Sequence, residues 1–326
     1  MLVIGLVVGL AVGAIAYFIQ WLPTSAGEEA DRIDFVFWFT TIISIVVFAI
    51  VAAALLYSVW KFRAGPDDDS DGLPIHGHTG IEIAWTAFPA VLVTAIAIVS
   101  AIVLARNGEA GPNPLKIEVT AQQFAWSFTY PNGTQSGVLR LPVGRHTELR
   151  ITAKDVLHSF WVPQLGQKQD AVPGQFNKLV ITPNRTGTFP VICTELCGLG
   201  HSVMRTVAIV MEPAAYEQWT KGGAQAAGGG SPGGVAAKTF AANGCGGCHT
   251  FTPAKAAGKI GPDLDKLAAE AQRAGKPLDA FVRQSIVDPA AYLEPGFQDQ
   301  MPHTFGKTIP PKELDALVQY LAKGSS

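Results

Sequence analysis

Two clusters of cysteine, histidine and methionine carry the chemistry that this sequence could perform. The first is Cys193-Thr-Glu-Leu-Cys197-Gly-Leu-Gly-His201-Ser-Val-Met204, and His158 precedes it on a separate run. Thiolates, imidazoles and a thioether together favour copper, whereas a closed Cys/His tetrahedron favours zinc. Two thiolates four residues apart can bridge two copper ions, with one histidine for each ion and with methionine and a backbone carbonyl as weak outer ligands. The alternatives are a Cys193–Cys197 disulfide, which leaves His201 and Met204 unused, and a zinc site, which gains little from methionine.

The second cluster is Cys245-Gly-Gly-Cys248-His249, the attachment signature of c-type haem. Two thioethers would hold the vinyl edge of the haem, and the adjacent histidine is placed to ligate the iron. A thioredoxin-like motif would need a βαβ context, and a zinc knuckle would need two more ligands nearby. For the sixth ligand we favour Met301 over His303, because no other methionine follows position 211.

Short alternating runs of apolar and polar residues begin at Leu115 and are separated by turn residues. Strands at this spacing predict a β-sandwich or barrel of about 100 residues. We expect this copper domain to span 111–220. The early His158 and the late cysteine loop would meet in it, as ligands do in β-sandwiches that hold copper.

A glycine-rich segment follows the copper domain, and a second soluble domain follows that segment. We predict a flexible linker over 221–237, because its residues cannot bury a core. Such a tether holds its two ends at high effective concentration, so docking between the domains need not be tight. We expect the remaining domain, 238–326, to have helices at both ends. The pattern over Pro311–Lys323 predicts a closing amphipathic helix, the last element of the domain.

Charged residues make up 15% of the 326-residue chain, against roughly 25% in an ordinary soluble protein. The deficit is unevenly spread and is largest in residues 1–106, which hold 4 Lys and Arg and 9 Asp and Glu. A mean hydropathy of +0.25 argues against a disordered chain, and a net charge of −2 gives no basic excess for nucleic acid. The composition predicts a membrane-anchored protein with a large water-exposed portion.

Three charge-free apolar runs account for this deficit. A span needs about 20 apolar residues, and the runs 35–60 and 83–105 predict two spans in a hairpin over 27–110. Residues 1–26 are a signal peptide or an extra transmembrane helix, since they are apolar enough to span but lack the positive start of a signal. The weak basic excess of the loop between the spans places that loop in the cytoplasm and everything after the second span outside.

At these residues the sequence resembles subunit II of the haem–copper cytochrome c oxidases, from about Asp31 to Trp219. The segment after the linker resembles a class I cytochrome c. The two resemblances together match the caa-type oxidases, in which cytochrome c is fused to subunit II. They imply a multidomain membrane protein: a transmembrane helical hairpin, a cupredoxin-like β-sandwich and an all-α cytochrome c domain.

The resemblance also implies roles for individual residues. The Glu195 side chain would reach a magnesium ion shared with subunit I. Glu82 matches a family carboxylate at the mouth of a proton channel. The alternative is that Glu82 is simply a charged residue at the start of a helix. Phe124 stands where many members have the tryptophan that admits electrons, and Trp126 in the same aromatic run is expected in the core. The family's copper ligands match His158, Cys193, Glu195 through its carbonyl oxygen, Cys197, His201 and Met204.

The function that these inferences imply is passage of electrons from a cytochrome c-type donor, through covalent haem c and binuclear copper, to haem in subunit I. Oxygen would be reduced to water there with proton translocation, because the spans of this chain hold no histidine cluster for haem and copper. The expected partners are subunit I, further oxidase subunits, the donor and membrane lipid. The expected location is a bacterial plasma membrane, with both soluble domains on the outer side. The alternatives are the same module serving a nitric oxide reductase, and a membrane copper carrier, which leaves the haem motif unexplained.

Overall fold

A computed structural model of the chain describes residues 1–63, 65, 67, 72, 74, 76–221 and 232–325. It divides into two compact units. One comprises Met1–Thr24 with Asp31–Asn107, and the other comprises Ser25–Ala30 with Gly108–Ser326. The first unit is helical, and the second contains the β-rich and cytochrome-like parts of the chain.

Three helices form the first unit: α1 (Leu2–Phe18), α2 (Glu28–Lys61) and α3 (Thr79–Asn107). At about 1.5 Å per residue, the 34 residues of α2 and the 29 of α3 exceed the roughly 30 Å of bilayer hydrocarbon. Both are apolar enough to cross a membrane, whereas α1, at 17 residues, is a shorter apolar helix. The fate of residues 1–26, cleaved or retained, stays a prediction.

Ten strands form two five-stranded sheets in the second unit, ordered β3-β2-β1-β5-β8 and β4-β10-β9-β6-β7. Burial alternates along the strands, as the sequence pattern predicts for sheets with one face in a core. The core between the sheets includes Trp126, Phe128 and Phe160. The strands are β1 (Leu115–Gln122), β2 (Ala125–Thr129), β3 (Gln135–Ser136), β4 (Leu139–Pro142), β5 (Thr147–Ala153), β6 (His158–Trp161), β7 (Lys168–Ala171), β8 (Asn177–Ile181), β9 (Gly187–Cys193) and β10 (Arg205–Met211).

Short helices around a second apolar core form the rest of this unit. The predicted closing helix is present as α10, and it buries Leu314, Leu317, Val318 and Leu321. Besides its helices, this part holds a two-stranded ribbon of β11 (Thr250–Phe251) and β12 (Ala256–Ala257). The helices around this core are α5 (Pro232–Ala242), α6 (Cys245–Cys248), α7 (Leu267–Arg273), α8 (Leu278–Val287), α9 (Phe305–Thr308) and α10 (Pro311–Gly324). The helix α4 (Pro213–Lys221) instead buries Tyr216 and Trp219 in the core of the β-rich part.

The predicted linker, 221–237, is shorter at its carboxyl end than the sequence suggests. Lys221 ends α4, and α5 already begins at Pro232. Proline is well accommodated in a first helical turn, and Ala236 bears a fully buried side chain. Residues 222–231, the glycine-rich part of the prediction, lie outside the described residues.

Candidate metal and haem sites

The strand order of the second sheet brings the separated copper-ligand candidates together. Cys193 ends β9, and Met204 immediately precedes β10, so the cysteine loop joins two neighbouring strands. His158 begins β6, which pairs with β9 so that Phe160 lies opposite Cys193. This register places the early histidine beside the start of the cysteine loop.

The six predicted copper ligands converge around the two cysteine sulfurs. Both sulfurs are buried, and they lie 3.9 Å apart as free thiols, so the alternative of a disulfide is not what the structure contains. His158 and Met204 are completely buried. The distances are Cys193 Sγ to His158 Nδ1 3.9 Å, Cys193 Sγ to Glu195 O 3.3 Å, Cys197 Sγ to His201 Nδ1 3.6 Å and Cys197 Sγ to Met204 Sδ 3.8 Å.

The electrostatics of the two thiols suit a cation between them. Burial alone would raise the pKa of Cys193, but hydrogen bonding with His158, nearby backbone groups and His201 lowers it below its ordinary value. Burial and the neighbouring charge of Cys193 raise the pKa of Cys197. Two adjacent thiolates therefore repel each other unless a metal ion neutralises them, and metal ligation requires the thiolate form. Together with the thioether of Met204, this donor set fits copper.

Asp155 orients His158, and the sequence analysis did not identify it. His158 Nε2 lies 2.9 Å from Asp155 Oδ1, which leaves Nδ1 facing the thiols. The backbone N–H groups of Gln123 and Val156 also donate to this carboxylate, at 2.6 and 2.7 Å. These hydrogen bonds outweigh burial and lower the pKa of Asp155. A carboxylate three residues before a candidate metal-ligating histidine was the available signal.

The haem-attachment motif opens onto a large apolar cleft. Cys245, Cys248, His249 and Met301 all line it. Its wall is otherwise mostly apolar, with Phe240, Leu264, Phe281 and Phe305 among the lining side chains. An apolar cleft that both attachment cysteines line suits a planar, largely apolar cofactor bound at those cysteines.

His249 is held in an orientation that suits an axial ligand. Its Nδ1 lies 2.7 Å from the backbone oxygen of Pro262, so this ring nitrogen donates and Nε2 stays available. Burial lowers the pKa of His249, with the Pro262 contact opposing, and favours the neutral imidazole that binds iron. Pro262, thirteen residues after His249, thus contacts the histidine directly.

Met301 and His303 occupy different surroundings. Met301 lines the same cleft as His249, whereas His303 is absent from the cleft wall. The imidazole of His303 is 53% exposed and lies 2.9 Å from Asp299 Oδ1. This placement favours Met301 over His303 as the partner of His249.

The two aromatic candidates lie in different surroundings. Phe124 is half-buried, lines the haem cleft and has its ring against Gly200, next to His201. Trp126 is buried, with ring centroids 6.3 Å from His158 and 5.4 Å from Phe160.

The two carboxylate candidates, Glu195 and Glu82, lie far apart in the chain. Glu195 is half-buried in the cysteine loop. Glu82 lies in the first turn of α3, exposed, and its Oε1 accepts a hydrogen bond from the backbone N–H of His78 at 3.0 Å. Both side chains remain candidates for roles toward a partner subunit.

Comparison with known proteins assigns each part of the chain. Residues 16–103 match the transmembrane domain of cytochrome c oxidase subunit II, residues 133–212 match its periplasmic domain, and residues 235–325 match cytochrome c. Cytochrome c oxidase subunit 2 of Synechocystis is 33% identical over 253 residues, covering 63% of this chain and 76% of the relative. The subunit 2 of Alkalihalophilus pseudofirmus is 33% identical over 296 residues, covering 86% and 82%.

Among solved structures, the periplasmic domain of subunit II of cytochrome oxidase from Bradyrhizobium japonicum is 27% identical. The match covers 36% of this chain and 98% of that domain, with a TM-score of 0.34. The predicted fold class is confirmed in its three parts: apolar helices, a cupredoxin-like domain and a cytochrome c domain. The chain therefore belongs to the cytochrome c oxidase subunit II family, with a cytochrome c domain at its carboxyl end as in the caa type.

Proposed function

We propose that this chain is the subunit through which electrons enter a terminal respiratory oxidase, with covalent haem c and two copper ions supplying one-electron chemistry. A separate subunit I would reduce oxygen to water with proton translocation. One observation carries the proposal. The haem cleft and the six converging copper-ligand groups belong to the same compact unit, and Phe124 both lines the cleft and lies against Gly200 of the cysteine loop.

The cytochrome part supplies the residues that would hold haem c. Cys245 and Cys248 would form the thioethers, and His249 and Met301 would be the axial ligands. The carbonyl of Pro262 keeps His249 in the orientation that directs Nε2 into the cleft. A thioether ligand raises the potential of a haem, which suits a centre that accepts electrons from a cytochrome c-type donor.

The cupredoxin-like part supplies the residues that would hold binuclear copper. Cys193 and Cys197 would supply thiolate sulfurs to the copper ions, and Asp155 keeps His158 in position. A rigid frame of buried ligands suits electron transfer, since little rearranges when an electron arrives or leaves. The remaining ligands would be His158, His201, Met204 and the carbonyl of Glu195.

Further roles follow for the rest of the chain. Helices α2 and α3 would anchor it in a bacterial plasma membrane against lipid, subunit I and further oxidase subunits, with the soluble domains on the outer side. Glu195 would contribute its carboxylate to a magnesium ion shared with subunit I, and Glu82 would lie at a proton-channel mouth. Phe124 lines the haem cleft. We therefore infer that electrons enter mainly through the tethered haem and not directly at this position.

Metal analysis of the subunit freed of the other subunits, and a deletion in the purified oxidase complex, test this function. We expect two copper ions in this subunit for each covalent haem c, and zinc or a single copper would contradict the binuclear assignment. Deleting 239–326 should sharply slow oxidation of the natural donor while the copper spectrum stays intact. A full rate in that truncated complex would show that the haem domain is dispensable.

The reaction of the partner subunit is tested separately. The complex should consume oxygen with a reduced donor. Consumption of nitric oxide and not of oxygen would assign the same module to a nitric oxide reductase. Copper transfer to an apo-acceptor with neither activity would assign it to a copper carrier.

A further inference from the structure

The cytochrome part and the copper part of the second unit touch at Phe124, beside the haem cleft, and also at a second surface, which we call the docking surface. It comprises Arg140, Val203 and Thr206 on the copper side, with α5, α6 and α10 on the other. A tether alone would not require specific contacts here. Each of the three copper-side residues nevertheless has a particular partner.

The first contact joins the two ligand-bearing segments. Gly247 lies between the haem-attachment cysteines, and Val203 lies between copper-ligand candidates His201 and Met204. A Cβ atom placed on Gly247 would lie 2.3 Å from Cβ of Val203, so no side chain fits at position 247. Because Gly247 has no side chain, the haem-attachment motif packs directly against the cysteine loop.

The second contact is a shared hydroxyl. Thr206 Oγ1 lies 2.7 Å from the backbone oxygen of Gly137 in the copper domain and 2.7 Å from that of Ala242, the last residue of α5. The last carbonyls of a helix have no partner within it, so Thr206 satisfies one of them from across the surface. Thr206 is itself buried.

The third contact pairs two charges. Arg140, on β4, is 5% exposed, donates to Ser136 Oγ at 2.8 Å and lies over the ring of Trp219. Those partners are neutral, and a buried cation is unfavourable without a counter-charge. The charge of Glu313, on α10, acts on Arg140 from across the docking surface and favours its charged form. Burial raises the pKa of Glu313, and the charge of Arg140 opposes this.

Glu313 is fixed from its own side as well. Thr239 Oγ1 of α5, a buried residue, donates to Glu313 Oε2 at 3.1 Å. The carboxylate is therefore held by the cytochrome part, and its charge acts on Arg140 of the copper part. This arrangement selects one orientation of the two parts, which a long-range attraction would not do.

We propose that the cytochrome c domain is seated on the copper domain in one fixed orientation by Arg140, Thr206 and Val203, and that electrons cross between the domains at the Val203–Gly247 contact. The seating stands on the contacts alone, and the crossing point rests on the proposed function. The sequence alone suggested a loose tethered encounter. The docking surface replaces it with a preformed contact.

The first test changes Gly247 to Val in the full-length, cofactor-loaded chain. Cys-x-x-Cys-His tolerates other residues at its middle positions, so haem attachment should persist. The Val203 loop must then move. We expect the first-order rate of electron transfer from photoreduced haem to copper to fall on the order of ten- to a hundredfold, as misplacement of reacting groups commonly costs. Hydrogen–deuterium exchange at 203–206 should accelerate, with unchanged haem and copper spectra.

A compensating variant separates this steric effect from damage to either centre. Gly247→Ala should also slow the transfer, and Gly247→Ala with Val203→Gly should restore it, because the atom that the new Cβ meets is gone. Normal rate and normal exchange in Gly247→Val would overturn the proposal. Accelerated exchange with a normal rate would retain the seating and overturn the crossing point.

The charge pair has a matched control on the same helix. Glu313→Gln removes the counter-charge of Arg140, whereas Asp315→Asn removes a surface partner of Arg283. We expect faster exchange at 203–206 and a new salt dependence of the electron-transfer rate in Glu313→Gln only. Equal behaviour of the two variants would overturn the seating. If the backbone amides at 203–206 exchange slowly in the unaltered chain but no electron passes from haem to copper, the seating stands and the proposed function is refuted.

Discussion

Replacing Asp155 by Asn should weaken copper binding without touching any proposed ligand. The carboxylate accepts hydrogen bonds from His158 Nε2 at 2.9 Å and from the backbone N–H groups of Val156 and Gln123 at 2.7 and 2.6 Å. Asn keeps the size but removes the charge and turns one acceptor oxygen into an N–H donor. At least one of the three donors then faces another donor.

The expected loss follows from these contacts. Removing the partner that orients a metal-ligating histidine typically lowers metal affinity about 10- to 100-fold, which corresponds to about 1.4–2.8 kcal/mol of binding free energy. A hydrogen bond to a charged group contributes about 1.5–3 kcal/mol, so the two figures agree. The loss should appear in copper affinity, because His158 Nδ1 is one of the atoms directed at the thiols.

Competition with a copper chelator at fixed pH measures this effect on the full-length protein. Asp170→Asn is the matched control, since Asp170 is exposed on β7, which pairs with the strand that carries His158. A surface change of this kind alters free energies by about 0.5 kcal/mol or less. Unchanged affinity in Asp155→Asn would refute the orienting role, and equal losses in both variants would indicate a general disturbance of the sheet.

Three further predictions concern the cytochrome domain. Met301→Ala should lower the haem potential and abolish the sulfur–iron absorption band, because the thioether is lost, whereas His303→Ala should change neither. An unchanged spectrum in the first variant with a loss in the second would reverse the ligand assignment. Burial, with the charge of Glu294 adding, raises the pKa of Glu270 to about 7 from its usual 4.5. The folded protein then holds a proton that the unfolded chain releases, and stability should fall as pH rises from about 4.5 through 7. Glu270→Gln should remove this fall. At pH 8 the variant should have a higher Tm, and its unfolding free energy should exceed that of the unaltered protein by at most about 3 kcal/mol. An equal fall of stability with pH in both proteins would contradict this prediction. Leu317→Ala, at a side chain that is 1% exposed, should lower the unfolding free energy of this domain by about 2–5 kcal/mol, measured by denaturant titration, and a loss under 1 kcal/mol would contradict the packing of α10.

The sequence by itself determined the chemistry and the order of the parts. Candidate metal and haem ligands are recognisable from residue type and close spacing, as in the cysteine loop 193–204 and the motif 245–249. Hydropathy located α2 and α3, and two-residue alternation predicted the β-rich domain, because a helix or strand must bury one face whatever its neighbours are. The predicted carboxyl end of the linker, at 237, differs from the structure, in which α5 already begins at Pro232. Ala236 is helical and buried only because a distant core covers it.

Only the tertiary structure decided how those parts hold and face one another. Asp155 reaches a backbone N–H 32 positions away, and the side chain of Gln123 donates to the carbonyl of Cys197, 74 positions away. The pairing of Arg140 with Glu313, and the contact of Val203 with Gly247, join residues of separate domains. Such contacts leave no local pattern, since their free energy depends on which surfaces the folded chain brings together. Ligand identity is a property of short segments, whereas orientation and docking are properties of the assembled fold.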